Sequence, residues 1–297
     1  MSGRSKTDEL ITSKYKKRSR MGEIFHRLKR NKGAIVGMCV LILLILTFFV
    51  SLFFISFESI ATQNISERFS PPSFKHLFGT DNLGRDMFVR VIYGTRYSLV
   101  IGLGVVCIAG IFGISLGSIA GFFGGQIENI IMRVSDVMSS IPSILLGMVI
   151  MTTLGASLVN LIIAVGVTSI PGYIRITRAS VLSVRNQEFI ESARAIGIRS
   201  FPIIFTQVLP NGVAPIIVTT SASLGMSILS AAGLSFLGFG VQVPRPEWGT
   251  LISSGREFAR SAPWLMIFPG LFIMFTVLSF NLLGDGLRDA LDPKLKR

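Results

Sequence analysis

The placement of charged residues is the strongest constraint on how this chain can fold. Five stretches contain no Asp, Glu, Lys or Arg: residues 33–57, 97–127, 137–174, 200–244 and 261–284. Each exceeds the ~20 apolar residues that a helix rising ~1.5 Å per residue needs to cross a hydrocarbon core of ~30 Å. Only 15% of the 297 residues are charged, whereas soluble domains carry about a quarter. The sequence therefore predicts an all-α, polytopic membrane protein.

The number of spans depends on the two longest charge-free stretches. Residues 137–174 are too many for one helix, and the Gly-Ala-Ser sequence at 155–157 is typical of a tight turn, so two helices are predicted there. We read residues 200–244 as a single span at about 208–232. The glycine-rich remainder, 233–244, favours a buried or re-entrant external segment. About six spans result.

Basic residues set the orientation of these spans. Eleven of the 29 Lys and Arg residues lie between Arg4 and Lys32, directly before the first span. With six spans and a cytoplasmic N-terminus, 21 basic residues lie inside and 8 outside, as the positive-inside rule requires. The net charge of +13 thus indicates a contact with the lipid bilayer rather than with nucleic acid. We expect a multi-pass protein of the cell membrane with both termini in the cytoplasm.

These assignments divide the chain into four parts. Residues 1–32 form a basic cytoplasmic segment, and residues 33–92 hold the first transmembrane helix and an external segment. Residues 93–288 form a five-helix core with a cytoplasmic loop, and residues 289–297 form a cytoplasmic tail.

The second span carries a glycine at every fourth position. Gly113, Gly117, Gly121 and Gly125 would form one smooth helical face. Such faces let two helices approach closely in lipid, where van der Waals packing drives association. We predict a packing face whose partner lies either in this chain or in another.

A short amphipathic helix is predicted in the cytoplasmic loop after the fourth span. Phe189, Ala193 and Ile196 would share one face, and Gly197 would end the helix before Pro202 opens the next. A helix this short needs a cover for its apolar face. It is either a connector on the bilayer or a docking element for another protein. The candidate residues are Glu188, Phe189, Glu191, Ala193, Arg194, Ala195 and Gly197.

An external segment precedes the second span. Asp81, Arg85 and Asp86, with Gly79 and Gly84, predict a turn that opens a helix, with the charges capping or pairing. The carboxylates are too few for a calcium loop. We expect a structural turn or a contact with an external binding protein rather than a metal site.

No catalytic group, cofactor site or metal site is predicted. There is no Gly-Lys dipeptide, and hence no Walker A loop for ATP phosphates. Glu128, Asp136 and Asp285 lie near span ends, whereas proton-coupled pumps need acidic groups inside the membrane. A secondary transporter, a channel or a membrane enzyme is therefore disfavoured.

Several motifs resemble known transport proteins. Glu191-Ser192-Ala193, Gly197 and Leu209-Pro210 are similar to the "EAA" loop of membrane subunits of binding-protein-dependent ABC importers, with departures at Ser192 and Gln207. Further segments resemble the C-type permeases of dipeptide, oligopeptide and nickel importers: GTDNLGRD at 79–86, GTRYSL at 94–99, LSFLGFG at 234–240, PEWG at 246–249, and GDGLRD at 284–289 with Asp292-Pro293. The likeness covers about residues 20–293.

The resemblance implies a type I ABC importer permease fold and a division of labour. The chain would pair with a sister permease, two ATPase subunits would bind ATP and Mg²⁺, and an external substrate-binding protein would deliver the substrate. The loop at 186–210 would couple the ATPases to the permease. Peptides are the expected substrate class, with nickel chelates or glutathione as alternatives.

Overall fold

A computed structural model describes Gly22 and residues 26–291. Residues 1–21, 23–25 and 292–297, which include most of the predicted basic segment and part of the predicted tail, lie outside this description. Within the described ranges the regular structure is helical. The helices are α1 (Lys32–Phe54), α2 (Phe57–Ala61), α3 (Met87–Phe123), α4 (Gly125–Ser140), α5 (Ser143–Leu154), α6 (Leu158–Val184), α7 (Glu188–Ala195), α8 (Ser200–Ile203), α9 (Leu209–Leu234), α10 (Trp248–Gly255) and α11 (Trp264–Leu291).

Among the residues that the structure describes, five helical segments are long and apolar enough to cross a membrane. They are α1, α3, α6, the continuous helix Ser200–Phe239 and α11, and a bent pair of helices, α4 and α5, brings the total to six. The all-α, polytopic fold with about six spans is confirmed. Each span is mostly unburied within this chain; in α1 only 17% of the most apolar window is buried. Lipid or another subunit must therefore cover these apolar surfaces.

The third predicted span is broken rather than straight. α4 and α5 meet at an angle of 89°, and α5 alone has 12 residues, which reach only ~18 Å. The break follows from Pro142, which disfavours helical backbone at the residue before it. Ile141 is accordingly extended (φ −94°, ψ 128°). The turn predicted at 155–157 is present, with Gly155 at φ 84°.

The helix around the predicted fifth span is longer than expected. It was predicted to end near residue 232, but the chain stays helical from Ser200 to Phe239, with five-residue π-helical turns at Ile204–Val208 and Ser235–Phe239. The second π turn is supported from α10, since the Ser253 hydroxyl donates to the Phe236 carbonyl at 3.1 Å. Gly233 therefore does not end the helix, which stops near Gly238, where the backbone is left-handed (φ 94°).

The second span begins ten residues earlier than its charge-free stretch. α3 starts at Met87 and runs for 37 residues, so the boundary drawn between residues 92 and 93 falls inside a helix. Both arginines of α3 donate hydrogen bonds to residues of α1 and of the segment that follows it, although the buried Nε of Arg90 has no hydrogen-bond partner. Arg90 donates to the Ile60 carbonyl at 3.2 Å. Arg96 donates to Ser51 Oγ and to the Ile55 carbonyl, each at 2.9 Å.

The helices pack around α3 and α6. α9 packs against both, and α11 packs against α9. α1 packs against α11 and α3 at the edge of the bundle. α10 closes the end of the bundle that the sequence predicts to be external, called the outer end here, and the opposite end is called the inner end. There the fully buried Trp248 of α10 donates its indole N–H to the Val91 carbonyl at 3.0 Å. This arrangement leaves the inner ends of α3 and α6 to carry α7.

Candidate functional site

The segment predicted to couple to ATPases, residues 186–210 and called the coupling segment here, contains two short helices at the inner end of the bundle. α7 follows α6 after a three-residue turn, and α8 leads through the first π turn into α9. The helix predicted here is present, and Pro202 lies in the first turn of α8, which begins the return path. α7 is anchored in a buried cluster of Phe122, Val181, Val184, Ile190, Ala193, Ile203, Ile204 and Val208.

The buried face of α7 differs from the predicted one. Ala193 is buried as expected, but its partner in the cluster is Ile190, which is fully buried. Phe189 is 40% exposed and Ile196 is 77% exposed. The apolar residues of α7 thus occupy two faces, of which one anchors the helix and the other is left uncovered. In an eight-residue helix the 3.6-residue period cannot distinguish these faces, because both sets fit it.

Gly197 ends α7 in a Schellman motif. Its own N–H donates to the Arg194 carbonyl at 3.0 Å, and the Ile198 N–H donates to the Ala193 carbonyl at 3.1 Å. This geometry requires the left-handed backbone that Gly197 adopts (φ 81°). A Cβ at this position would meet no other atom within 4 Å, so the requirement concerns backbone conformation rather than space.

The surface of α7 that faces away from the bundle mixes charge and apolar groups. Glu188, Glu191 and Ala195 are exposed together with Phe189 and Ile196. The two carboxylates lie in the first turn and Arg194 in the last, which suits the helix dipole. α7 is thus anchored to the bundle through one face, while its opposite, partly apolar surface around Phe189 and Ile196, called the tip of α7 here, is uncovered. It can serve as a docking element for another protein.

Ion pairs that the sequence did not reveal join the inner ends of the helices. Arg178 on α6 donates to the Glu128 carboxylate on α4 at 2.6 Å. Arg175 donates to Asp136 at 3.1 Å and to Ser139 at 2.7 Å. The sequence places Glu128 and Asp136 near span ends. The spacing of Arg175 and Arg178, about one helical turn apart, is the sequence signal for their partners. These contacts hold α4 across the inner end of α6.

The glycine face of α3 packs against α6 of the same chain. A Cβ on Gly113 would lie 2.3 Å from Tyr173 Cβ, and one on Gly117 would lie 2.6 Å from the Ile174 carbonyl. At Gly121 the nearest atom would be Val181 Cβ at 2.8 Å. Gly125 does not belong to this face, because it follows the end of α3 and has no atom within 4 Å of a Cβ. The structure thus places the partner helix within this chain.

The external turn at 79–86 is built around Asp81. This buried carboxylate accepts the backbone N–H groups of Leu83 and Arg85, each at 2.9 Å, and Arg85 Nε at 2.7 Å. Gly84 (φ 69°) lies so close to Asn64 that a Cβ would stand 1.8 Å from its carbonyl oxygen. Both carboxylate oxygens of Asp81 therefore accept hydrogen bonds from this turn, which supports a structural role.

Asp86 caps α3 at the same turn. Its carboxylate accepts the Val89 N–H at 3.0 Å and lies 2.8 Å from His76 Nδ1. The other ring nitrogen of His76 lies 3.3 Å from the Glu67 carboxylate. The Lys75 ammonium, which donates to Glu67, lowers the pKa of that carboxyl. The external segment is thus an ordered, charge-paired platform on the outer end of the bundle.

Comparison with known sequences agrees with this architecture. Residues 113–297 match the family described as "Binding-protein-dependent transport system inner membrane component", and residues 19–72 match the "N-terminal TM domain of oligopeptide transport permease C". A protein of Alkalihalophilus pseudofirmus named "Dipeptide transport system permease protein DppC" is 48% identical, over 92% of this chain and 90% of the relative. A Pectobacterium atrosepticum protein named "Glutathione transport system permease protein GsiD" is 41% identical, over 92% and 91%.

The fold also matches a solved transporter. The structure titled "Inward facing conformations of the MetNI methionine ABC transporter" aligns with a TM-score of 0.59 at 16% identity, covering 69% of this chain and 98% of the other. At that identity the likeness concerns the fold alone. With the family match spanning more than half of the sequence and close relatives covering nearly all of it, the chain belongs to the membrane permeases of binding-protein-dependent transport systems.

Proposed function

We propose that this chain is one permease subunit of an ATP-driven importer for short peptides. It forms half of the translocation pathway with a sister permease. Two ATPase subunits dock on the cytoplasmic side and supply the ATP and Mg²⁺ sites, since the chain has no Walker A loop. An external binding protein delivers the substrate. The chain itself is a transport subunit and catalyses no reaction.

The observation that carries this proposal is the uncovered tip of α7. An eight-residue helix is marginal alone, yet α7 is fixed to the bundle through Ile190 and Ala193 while Phe189 and Ile196 stay exposed. A rigid helix with an apolar tip suits a cleft on a soluble partner. Closure of paired ATPases would then move α7, and with it the helices to which it is anchored.

Peptides are the proposed substrates because the 48% identical relative is named as a dipeptide permease. Glutathione is the second candidate, since a relative named as a glutathione permease is 41% identical. Nickel chelates remain the third alternative from the motif resemblance. The positive-inside distribution supports placing both termini and α7 in the cytoplasm.

The test is transport by the assembled importer. The tagged chain is co-expressed with its sister permease and ATPase subunits, purified and reconstituted in proteoliposomes with the binding protein. We expect the ATPases to co-purify and labelled dialanine to accumulate only when ATP is supplied on the ATPase side. Parallel assays with glutathione and nickel rank the alternatives. Transport by this chain alone under an ion gradient would instead identify a secondary transporter or a channel.

A further inference from the structure

An apolar groove opens between α9 and α11 in the outer half of the bundle. Its volume is about 600 Å³, within the ~300–1,000 Å³ of small-molecule pockets. The lining comes from residues 229–236 of the Ser200–Phe239 helix, residues 270–278 of α11 and Ile252 of α10. Every lining residue is Ala, Gly, Ile, Leu, Met, Phe or Val. The groove therefore suits a hydrocarbon chain rather than a polar ligand, which would lose its hydrogen bonds there.

The groove exists because α10 separates the two long helices at the outer end. α10 packs tightly on both of them. A Cβ on Gly249 would lie 2.5 Å from Ala232 Cα, and one on Gly255 would lie 2.8 Å from a side chain of α11. Farther in, α9 and α11 touch each other, since a Cβ on Gly225 would lie 3.0 Å from Val277 Cα. The groove is thus closed at its inner end.

The length of the groove corresponds to one leaflet of a bilayer. Its wall on α11, residues 270–278, rises ~12 Å at ~1.5 Å per residue, and half of a hydrocarbon core of ~30 Å is ~15 Å. A membrane-spanning helix of another subunit would need a groove that continues through both leaflets, whereas this one stops where Gly225 meets Val277. The shape therefore fits an acyl chain of the outer leaflet better than it fits a helix.

An arginine lies at the outer mouth of the groove. Arg256 directly follows α10, and its guanidinium lies 5.6 Å from the ring centroid of Phe236, which lines the groove. The side chain is exposed, and in the described part of the chain no carboxylate lies within ion-pair distance of it, including that of the neighbouring Glu257. Arginine binds phosphate groups through two parallel N–H···O bonds. Arg256 thus offers an unpaired cation where a lipid headgroup would lie.

We infer that the groove is a binding site for an anionic phospholipid of the outer leaflet, with one acyl chain between α9 and α11 and the phosphate on Arg256. The chain fills a space whose walls would otherwise lack contact atoms, and the arginine holds the headgroup at the mouth. The lipid thereby supports the separated arrangement of α9, α10 and α11. This site goes beyond the proposed function and does not depend on which substrate is transported.

The experiment uses the chain purified from membranes with its partner subunits and placed in phosphatidylcholine nanodiscs. The probe is phosphatidylglycerol with a photoreactive group on one acyl chain. Illumination should link the probe to residues 270–278, as peptide mass spectrometry detects, and excess unlabelled phosphatidylglycerol should suppress the labelling. Arg256→Gln should lower the labelling about fivefold, as ~1 kcal/mol for one basic side chain near a lipid surface predicts. Arg68→Gln, which removes an exposed charge of the external segment, is the matched control and should leave it unchanged.

A second variant fills the groove from within. Gly270 lines the groove, and a Cβ there would meet no atom within 4 Å, so Gly270→Leu should occupy the space of the acyl chain and lower the labelling severalfold. Gly110→Leu is the matched control outside the groove, because a Cβ there would meet only Ile114 Cδ1 at 4.0 Å. Both variants should elute from a size-exclusion column as the wild-type complex does.

A photoreactive phenylalanine analogue in place of the exposed Met274 tests for the alternative occupant. It should link to lipid and not to another subunit. Efficient linkage to a second protein chain, equal labelling of the wild type and Gly270→Leu, or losses in the two control variants equal to those in Arg256→Gln and Gly270→Leu would each overturn the inference. Lipid labelling requires neither ATP nor substrate, so its outcome is independent of the transport assay.

Discussion

The guanidinium of Arg194 lies over the ring of Phe122, 4.7 Å from its centroid, and joins the coupling segment to the inner end of α3. Phe122 belongs to the same buried cluster as Ile190 on α7. Because α3 in turn contacts α6 along its glycine face, a displacement of α7 acts on two packed spans at once. Close-packed helices transmit such displacements with little deformation. This connection makes the position and rigidity of α7 the first properties to test.

Gly197 controls how α7 ends. Gly197→Val should abolish ATP-driven uptake, because a β-branched residue resists the left-handed conformation (φ 81°), at a cost of ~1–2 kcal/mol for L-residues in general. Gly197→Pro should have the same effect, since it removes the N–H that donates to Arg194. Uptake of labelled dialanine is the readout, and the amount of the chain in the membrane should be unchanged.

Gly197→Asn is the matched control for that position. Asn tolerates left-handed backbone, and the space around Gly197 is open, so most of the uptake should remain. If the Asn and Val variants were equally inactive, glycine would be needed here because any side chain collides with a partner protein. The left-handed backbone would then not be the reason.

Substitutions on the two apolar faces of α7 should have different effects. Those on the buried face should lower the stability of the permease, and those on the exposed face should lower ATP-driven uptake. Ile190→Ala removes a fully buried side chain and should destabilise the permease by ~2–5 kcal/mol, seen as a lower unfolding temperature of the purified complex. Phe189→Ala truncates an exposed side chain, so the unfolding temperature should stay the same while ATP-driven uptake falls.

Ile130→Ala provides the comparison for this pair, because Ile130 is an exposed apolar residue of α4, outside the coupling segment. Uptake should be normal in that variant. A Phe189→Ala permease with full uptake would show that the exposed tip of α7 takes no part in docking.

Much of the fold follows from the sequence because the membrane leaves few alternatives. Charge-free stretches longer than a bilayer must be helical to satisfy their own backbone, and the turn at Gly155 and the short helix at 188–195 carry strong local signals. The break at Pro142 had a signal too, since the residue before proline leaves helical geometry. An apolar stretch alone does not distinguish a straight span from a broken one, so the break does not follow from hydropathy.

The contacts of the site were less predictable. The pairing of Arg178 with Glu128 joins residues 50 positions apart, and the burial of Ile190 instead of Phe189 depends on which face α7 turns toward Phe122. Such relationships arise from the packing of α3, α4 and α6 in three dimensions. Local periodicity carries no information about them.

The glycine face of α3 should be intolerant of added volume. A Cβ at Gly117 would stand 2.6 Å from the Ile174 carbonyl and 2.8 Å from Thr177 Cβ, so Gly117→Ala must separate α3 from α6, at a cost of ~1–3 kcal/mol. The unfolding temperature of the purified complex should fall. Gly110→Ala on the same helix is the control, because its Cβ would meet only Ile114 Cδ1 at 4.0 Å. Equal stability of the two variants would mean that the helices separate without cost.

The side of the membrane that α7 faces is the remaining premise of the proposed function. With Cys39 and Cys107 replaced by Ala, Ala195→Cys should react with a membrane-impermeant maleimide in inverted vesicles and not in intact cells, because Ala195 is exposed on the tip of α7. Gln63→Cys, on the exposed external segment, should show the opposite pattern. The physical reason is the excess of basic residues on the α7 side of the spans. If Ala195→Cys reacted from outside, the threading would be inverted and α7 could not meet an ATPase.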